Sequence, residues 1–365
     1  MKIYCLNCKK FVDIPHKDEP CPECGLRMCG FEDIGRKLSP YEEKAALEII
    51  KWLNEPPGKI TEAIDKVVGA ITGQVGKVVP KAVANKITKY AIRVLEFIQD
   101  ISIYTFIEDK EKLRRDLEYR FGKSKLATIL AKIIPLLSGN GVLQEAKKLG
   151  YKAKTIDDLR SVSLKESDKL AGQYMGLFGN KTLAGLEGAL TGLGGWGLLM
   201  VDIPAVTAIN FRYIQQIATC FGYDQDLPQE KIFTNRVFML AFGGESGMRS
   251  GLKAKVAATY DIRALAYALA RNWTYAQMAE KTGLGGVLAW LKKNAPKQMA
   301  KYITKRKAAT AIPVIGGGVG ATINYAMTSH TGKDGWYYYR YRKLLESFGG
   351  LGGDETPSVP LLPDK

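Results

Sequence analysis

Apolar residues recur along this chain with a helical period and almost nowhere with the alternation that marks a strand. Ser39-Pro40-Tyr41-Glu42 carries the signals of a helix start. Serine stands at the N-cap, proline at the first helical position, and a glutamate three residues after the cap can fold back on it. The helix so opened is predicted to run to about Asn54 and to stop at Pro56-Pro57. Ile60, Ile64, Val67, Val68 and Ile71, then Ile87, Tyr90, Ala91, Val94 and Ile98, place further apolar stripes on helices. Leu117, Phe121, Leu126, Ile129, Leu130 and Ile133 predict shorter helices across 108–160, with a break at Ser138-Gly139-Asn140-Gly141. Residues 155–167 read as a connector, and a second helical block covers 168–348. Residues 349–365, rich in Gly and Pro, are expected to form a disordered tail. The pattern predicts an all-α body, with an N-terminal part over 36–160 and a core over 168–348.

Two segments of that core lack charge. Residues 188–201 (GALTGLGGWGLLMV) run uncharged to Asp202-Ile203-Pro204, and 308–332 carry no formal charge apart from His330. Their length permits a membrane span. Their glycines, with Pro313, Thr322 and Asn324, favour helices packed closely on one another, where small residues let backbones approach. Insertion of this glycine-rich pair in a membrane is the second reading, because glycine and proline are also enriched in membrane helices.

The first 30 residues follow a different logic. Cys5-Leu6-Asn7-Cys8 and Cys21-Pro22-Glu23-Cys24 are two C-x-x-C pairs. Each pair sets two sulfurs around one tight turn, and two such turns face to face supply the four ligands of a tetrahedral ion. The expectation is a small zinc ribbon, rubredoxin-like and β, over residues 1–30, with Zn2+ in a structural role because all four positions are cysteine. His16 and Cys29 are spare candidate ligands. Two disulfides of a secreted domain are the alternative. The opening Met1-Lys2-Ile3-Tyr4 does not have the basic-then-apolar form of a signal peptide. Cys220, alone in an apolar context, reads as a core residue.

Charge narrows the partners. Lys and Arg number 53 against 37 Asp and Glu, for a net charge of +16. Such a balance favours an anionic partner, a nucleic acid or an acidic membrane face. The excess is also patterned. No acid lies between Lys66 and Arg93, where Lys77, Lys81, Lys86, Lys89 and Arg93 alternate with apolar positions. None lies between Lys281 and Lys333, where Lys293, Lys297, Lys301 and Lys305 follow at steps of four. On helices these positions make cationic stripes backed by apolar residues, as on a protein that lies against anionic lipid, or simply solvated faces. Trp336-Tyr337-Tyr338-Tyr339-Arg340-Tyr341-Arg342 can be read as a base-stacking surface or as an interfacial aromatic belt.

Catalytic signals are sparse. The two histidines are His16 and His330. Gly244-Glu245-Ser246-Gly247-Met248 has methionine where a nucleophile elbow needs its second glycine. Asp202 with Glu187 is a conceivable acid pair, although an Asp before Ile-Pro more often caps a turn or a helix. No phosphate-binding loop or dinucleotide fingerprint follows a strand.

The segment TLAGLEGALTGLGGWGLLMVDIPAVTAINF, the RYIQQIATCFGYD that follows, and AATAIPVIGGGVGATINYAMTSHTGKDGWYYY further on together resemble the EcsC family. Its pattern is a glycine-rich helix, a D-x-P-type turn, a long helix ending in G-[FY]-D, a loop with proline, and a late A-x-P-x-[IVL]-G-x-x-x-G-x-x-x-N segment. Asp202 and Pro204, Gly222 and Asp224, Pro228, and Pro313, Gly316, Gly320 and Asn324 occupy those positions here. The resemblance spans about 40–345, with the cysteine module as an addition. It implies an α-helical bacterial protein, in some members linked genetically to a transporter, with no reaction attached.

Charge, cysteines and resemblance together lead to a non-enzymatic accessory or regulatory protein at an anionic membrane surface. It would be cytoplasmic, peripheral to or partly inserted in the inner membrane, with the zinc ribbon recruiting a protein partner. A membrane-perturbing effector acting through the glycine-rich hairpin and a hydrolase using carboxylates are the alternatives. A nucleic-acid-binding protein is the least favoured, since the ribbon is only mildly basic.

Overall fold

The computed structural model describes residues 2–15, 19–27, 38–55, 110–123, 140–175, 196–242, 252–271, 273, 275–281 and 316–347, with scattered positions within 85–96, 127–131 and 285–303. The first strands, β1 (Lys2–Cys5) and β2 (Lys10–Asp13), pair antiparallel in the register Lys2 to Asp13 and Cys5 to Lys10. All further elements among the described residues are helical: α1 (Pro40–Asn54), α2 (Lys110–Phe121), α3 (Asn140–Lys148), a 3-10 turn (Asp157–Arg160), α4 (Leu164–Met175), α5 (Trp196–Cys220), α6 (Pro228–Phe242), α7 (Leu252–Ala270), α8 (Tyr275–Lys281) and α9 (Gly316–Ser347).

Local chemistry sets most of these boundaries. At α1 the Glu42 amide donates to Ser39 Oγ while the Ser39 amide donates to the Glu42 carboxylate, completing the expected capping box. An N-cap of this kind contributes about 1 kcal/mol. A second box opens α4, where Ser163 and Glu166 exchange the same pair of bonds. Residues 155–167 are therefore not a plain connector, since they hold the 3-10 turn and the first turn of α4. Asn140 and Gly141, expected in a break, instead begin α3.

Two helices end alike. After α5 the Gly222 amide reaches the Thr219 carbonyl and the Tyr223 amide the Ala218 carbonyl, with Gly222 at φ +84. After α3, Gly150 and Tyr151 repeat the arrangement on Lys147 and Ala146, with Gly150 at φ +87. This is the Schellman stop, which needs a residue in the left-handed region and so favours glycine. Pro228 then starts α6, where its missing N–H costs nothing.

The chain runs as helix straight through Asp202-Ile203-Pro204, within α5, so the predicted D-x-P turn is not formed. A proline inside a helix removes one backbone bond and crowds the preceding turn. Here the rest of the helix is held from all sides, because every residue from Val206 to Tyr223 is buried.

The core is built around α9, which packs on α1, α4, α5, α6 and α7. It meets α5 closely: a Cβ at Gly332 would lie 2.2 Å from the Tyr213 ring, and one at Gly335 2.2 Å from Ile214 Cδ1. Gly332 and Gly335 thus let the two helices approach closely, while the glycines of 188–195 lie outside the described residues. The aromatic run on α9 serves the same core. Tyr338, Tyr339 and Tyr341 are buried, and Trp336 and Tyr337 pack half-buried against it. Tyr337 stacks on Trp52 of α1 with centroids 4.7 Å apart, and Tyr339 lies against Phe221, Tyr223 and Phe233. The run is interior, and the readings of it as a base-stacking surface or an interfacial belt are corrected. Among the described residues, no helix is long and apolar enough to cross a membrane.

Candidate metal centre

Cys5 and Cys8 flank one tight turn and Cys21 and Cys24 another, and the two turns are built alike. The amide of Lys9 donates to the Cys5 carbonyl at 2.8 Å, with Lys9 at φ 55; the amide of Gly25 donates to the Cys21 carbonyl at 2.8 Å, with Gly25 at φ +70. The residue after each pair adopts the left-handed region and curls the backbone around its sulfurs. The β1–β2 hairpin sets the first turn in place, and the bridge between Pro20 and Arg27 closes the second.

All four sulfurs lie within 4.8 Å of one another. Cys5 and Cys24 Sγ are 3.8 Å apart, and Cys8 and Cys21 Sγ 3.9 Å. A disulfide needs about 2.05 Å, whereas a tetrahedron of sulfurs about 2.3 Å from a central ion has edges of about 3.8 Å. None of these four cysteines is in a disulfide, and together they can hold one metal ion. Burial pushes the Cys21 thiol up, but the amides of Cys24 and Glu23 together with the Cys24 and Cys5 side chains bring it down to about 7, whereas burial raises the Cys8 and Cys24 thiols. The Cys8 amide similarly points at Cys5 Sγ, at 3.4 Å. Amides aimed at sulfur favour the thiolate, which is the form that binds metal. The spare candidates His16 and Cys29 lie outside the described residues.

The module is seated on the helical body. Its own small core is Cys5, Val12, Ile14 and Cys21, with Cys8, Cys24 and Leu26 around them. Leu6, within the first cysteine turn, is buried in the main core instead, and Leu26 touches both cores. Asn54, the last residue of α1, brackets the Arg27 backbone: its Oδ1 accepts from the Arg27 amide and its Nδ2 donates to the Arg27 carbonyl, each at 2.9 Å. Nδ2 also donates to Ile50 O at 2.8 Å.

Among the described residues the helical body buries the Arg236–Asp261 ion pair and two larger charge networks, neither network legible beforehand. In the first, the Arg342 guanidinium is fully buried and makes paired bonds to Glu230, at 2.5 and 2.6 Å, while its Nε reaches Glu346 at 2.9 Å. The Tyr223 ring covers it 3.7 Å from the centroid and Phe233 4.4 Å. Burial opposes the charge, but the two carboxylates beside it keep the guanidinium protonated. Next to it, Lys343 Nζ donates to the carbonyls of Arg160, Leu159 and Phe221 at 2.8, 3.3 and 3.5 Å. Burial pulls the Lys343 ammonium down to about 8, with Glu346 working against that shift.

In the second, the buried Asp168 of α4 accepts from Tyr41 OH and Trp336 Nε1, both at 2.8 Å, and Arg340 Nε lies 3.0 Å from it. Burial raises the Asp168 carboxyl in spite of Arg340. Burial and the Asp168 charge push the Tyr41 phenol up to about 12, so it stays a donor. Arg340 also pairs with Glu48 of α1 at 2.9 Å and covers the Trp336 ring. Close by, Trp52 Nε1 donates to Asp334 Oδ1 at 2.9 Å, and His330 Nδ1 lies 3.1 Å from Asp334 Oδ2.

The sequence-derived positions distribute unevenly over this frame. Gly222 holds the α5 turn against the backbone of 159–160, where a Cβ would lie 2.1 Å from the Arg160 nitrogen. Asp224 accepts the Asp226 amide at 2.9 Å and shapes the entry to α6. Gly316 and Gly320 belong to α9, and Asn324 is buried on it. Lys89 and Lys297 are exposed helical residues. Lys77, Lys81, Lys86, Lys293, Lys301, Lys305, Pro313, Glu187, Ser246, residues 188–195 and 308–315 and the C-terminal tail lie outside the described residues, as do the side chains of Asp202 and Pro204. Cys220 is buried in the core, where desolvation pushes its thiol well up.

No solved structure matches this chain. The chain is similar to Protein EcsC of Bacillus subtilis (strain 168), 26% identical over 53% of this chain and 70% of that protein. It is also similar to the uncharacterized protein YdbA of the same organism, 27% identical over 53% of this chain and 64% of that one. The model of the EcsC protein family matches residues 43–344, from the first turn of α1 to the last of α9, leaving out only the cysteine module and the ends. The chain belongs to the EcsC protein family.

Proposed function

We propose that this protein is a non-enzymatic accessory or regulatory protein that lies against an anionic membrane surface, with a structural zinc ribbon at its N-terminus that receives a protein partner. The observation that carries the membrane side is the placement of its basic residues. Lys89 and Arg93 are exposed while Ala91 and Leu95 between and beyond them are buried, and Lys297 is exposed while Ala300 and Ile303 are buried. Lys89 and Lys297 lie inside stretches without acids, and Arg93 closes the first of them, three residues before the exposed Glu96. Zinc is supported by the ligand set: four cysteine sulfurs within 4.8 Å of one another suit a closed structural site.

The buried carboxylates support a structural use of charge. Asp168, Glu230 and Asp334 are each engaged by an arginine, a tryptophan or a histidine.

Co-sedimentation with vesicles of neutral or anionic lipid tests the membrane reading. Binding to anionic vesicles alone, released by high salt, is expected. A protein that stays in the supernatant with both lipids removes the membrane from the reading. Metal analysis of the purified protein tests the zinc part, with one zinc per chain expected.

A further inference from the structure

We infer that the cysteine module is a metal-dependent clasp on the C-terminal turn of α1: metal loading holds it seated, and metal loss releases both partners. The inference rests on the metal reading of the four cysteines and extends it to the helical body.

The seat is built from the cysteine turns themselves. Leu6 stands between Cys5 and Cys8, and its side chain is buried in the main core. Leu26 follows Cys24 by two residues and touches both cores. Each turn therefore delivers one leucine to the body, and a common ion fixes the two turns relative to each other. The rest of the module cannot do so alone. Its core consists mostly of the ligands, with only Val12, Ile14 and Leu26 besides. Segments this small depend on metal for folding.

On the other side, Asn54 commits both amide hydrogens and its oxygen to backbone groups. One amide hydrogen goes to Arg27 O, the other to Ile50 O, and its oxygen takes the Arg27 amide. The bond to Ile50 O ties the side chain back one turn along its own helix. Two residues before it, Trp52 is tied to Asp334 of α9, and one residue after it Glu55 pairs with Lys333 at 2.9 Å. The end of α1 thus joins the module to the central helix. Linkage makes the effect reciprocal: whatever metal does for the end of α1, the end of α1 does for metal retention.

Hydrogen exchange on the full-length protein, with metal content measured in parallel, tests the clasp. After a zinc chelator strips the metal, amides of 19–27 and of 50–54 are expected to exchange at least about 10-fold faster, while those of α6 keep their protection. Stripped protein whose 50–54 amides exchange as before overturns the clasp while leaving the metal site standing. A chain that takes up no metal overturns both, and the metal analysis separates the two failures. Asn54→Ala, which leaves every cysteine in place, gives the reverse arm. It is expected to bind one metal per chain yet lose it to chelator roughly 10-fold faster, as the loss of hydrogen bonds at the seat implies. Release at the wild-type rate would overturn the proposal.

Discussion

Arg342 and Glu230, 112 residues apart, meet as a fully buried, doubly hydrogen-bonded pair between α9 and α6. Removing one member strands the other without solvent. Glu230→Gln and Arg342→Met are each expected to cost about 3–5 kcal/mol in urea denaturation, and the double variant less than their sum. Additive single effects would mean that the pair is not a unit.

Gly222 offers a sharper steric test. Alanine there meets both the left-handed backbone at φ +84 and the Arg160 nitrogen 2.1 Å from its Cβ. Gly222→Ala is expected to destabilise by about 2–4 kcal/mol, seen as a lowered Tm, because strain and overpacking add. Gly150→Ala, with the same left-handed φ and open space around it, is expected to cost only the conformational part, about 1 kcal/mol.

Lys343 predicts a pH dependence with a definite sign. Its native value lies at about 8, below the 10.5 of an ordinary lysine, so between these values the unfolded chain holds the proton that the native one has lost. Stability therefore rises with pH across that window, relative to Lys343→Met, by up to about 3 kcal/mol. Urea denaturation of both proteins at pH 7.5 and 10 checks it; a gap that stays constant would place the group elsewhere.

Neutralising the exposed cations tests the membrane surface without touching the core. Lys89→Gln, Arg93→Gln and Lys297→Gln combined are expected to weaken binding to anionic vesicles roughly 100-fold, at about 1 kcal/mol for each charge. An unchanged melting curve would accompany it, and undiminished binding would assign the surface to other residues.

Local grammar was readable from the sequence, and so was the chemistry of the four cysteines. The box of Ser39 and Glu42, the start at Pro228 and the two C-x-x-C turns each lie within a few residues. Ser163-Leu164-Lys165-Glu166 carries the same signal as Ser39 to Glu42, within the stretch expected to be a connector. Pro204 misled because propensity describes an isolated helix, whereas α5 is enclosed by its neighbours. Tyr338 to Arg342 misled for a related reason: a helix surrounded on all sides has no polar face to reveal its direction. Nothing near Arg342 or Asp168 announces Glu230 or Tyr41, because those partners are chosen by packing across more than a hundred residues.

The central place of α9 also has a consequence for synthesis. Helices made early keep their polar anchors waiting: Trp52 for Asp334, Glu48 for Arg340, Glu230 for Arg342. On the ribosome these groups stay unmatched until α9 has emerged, so the body closes around a helix made after its partners. Until α9 is made, the helices that will pack on it keep apolar surface and polar anchors open to solvent.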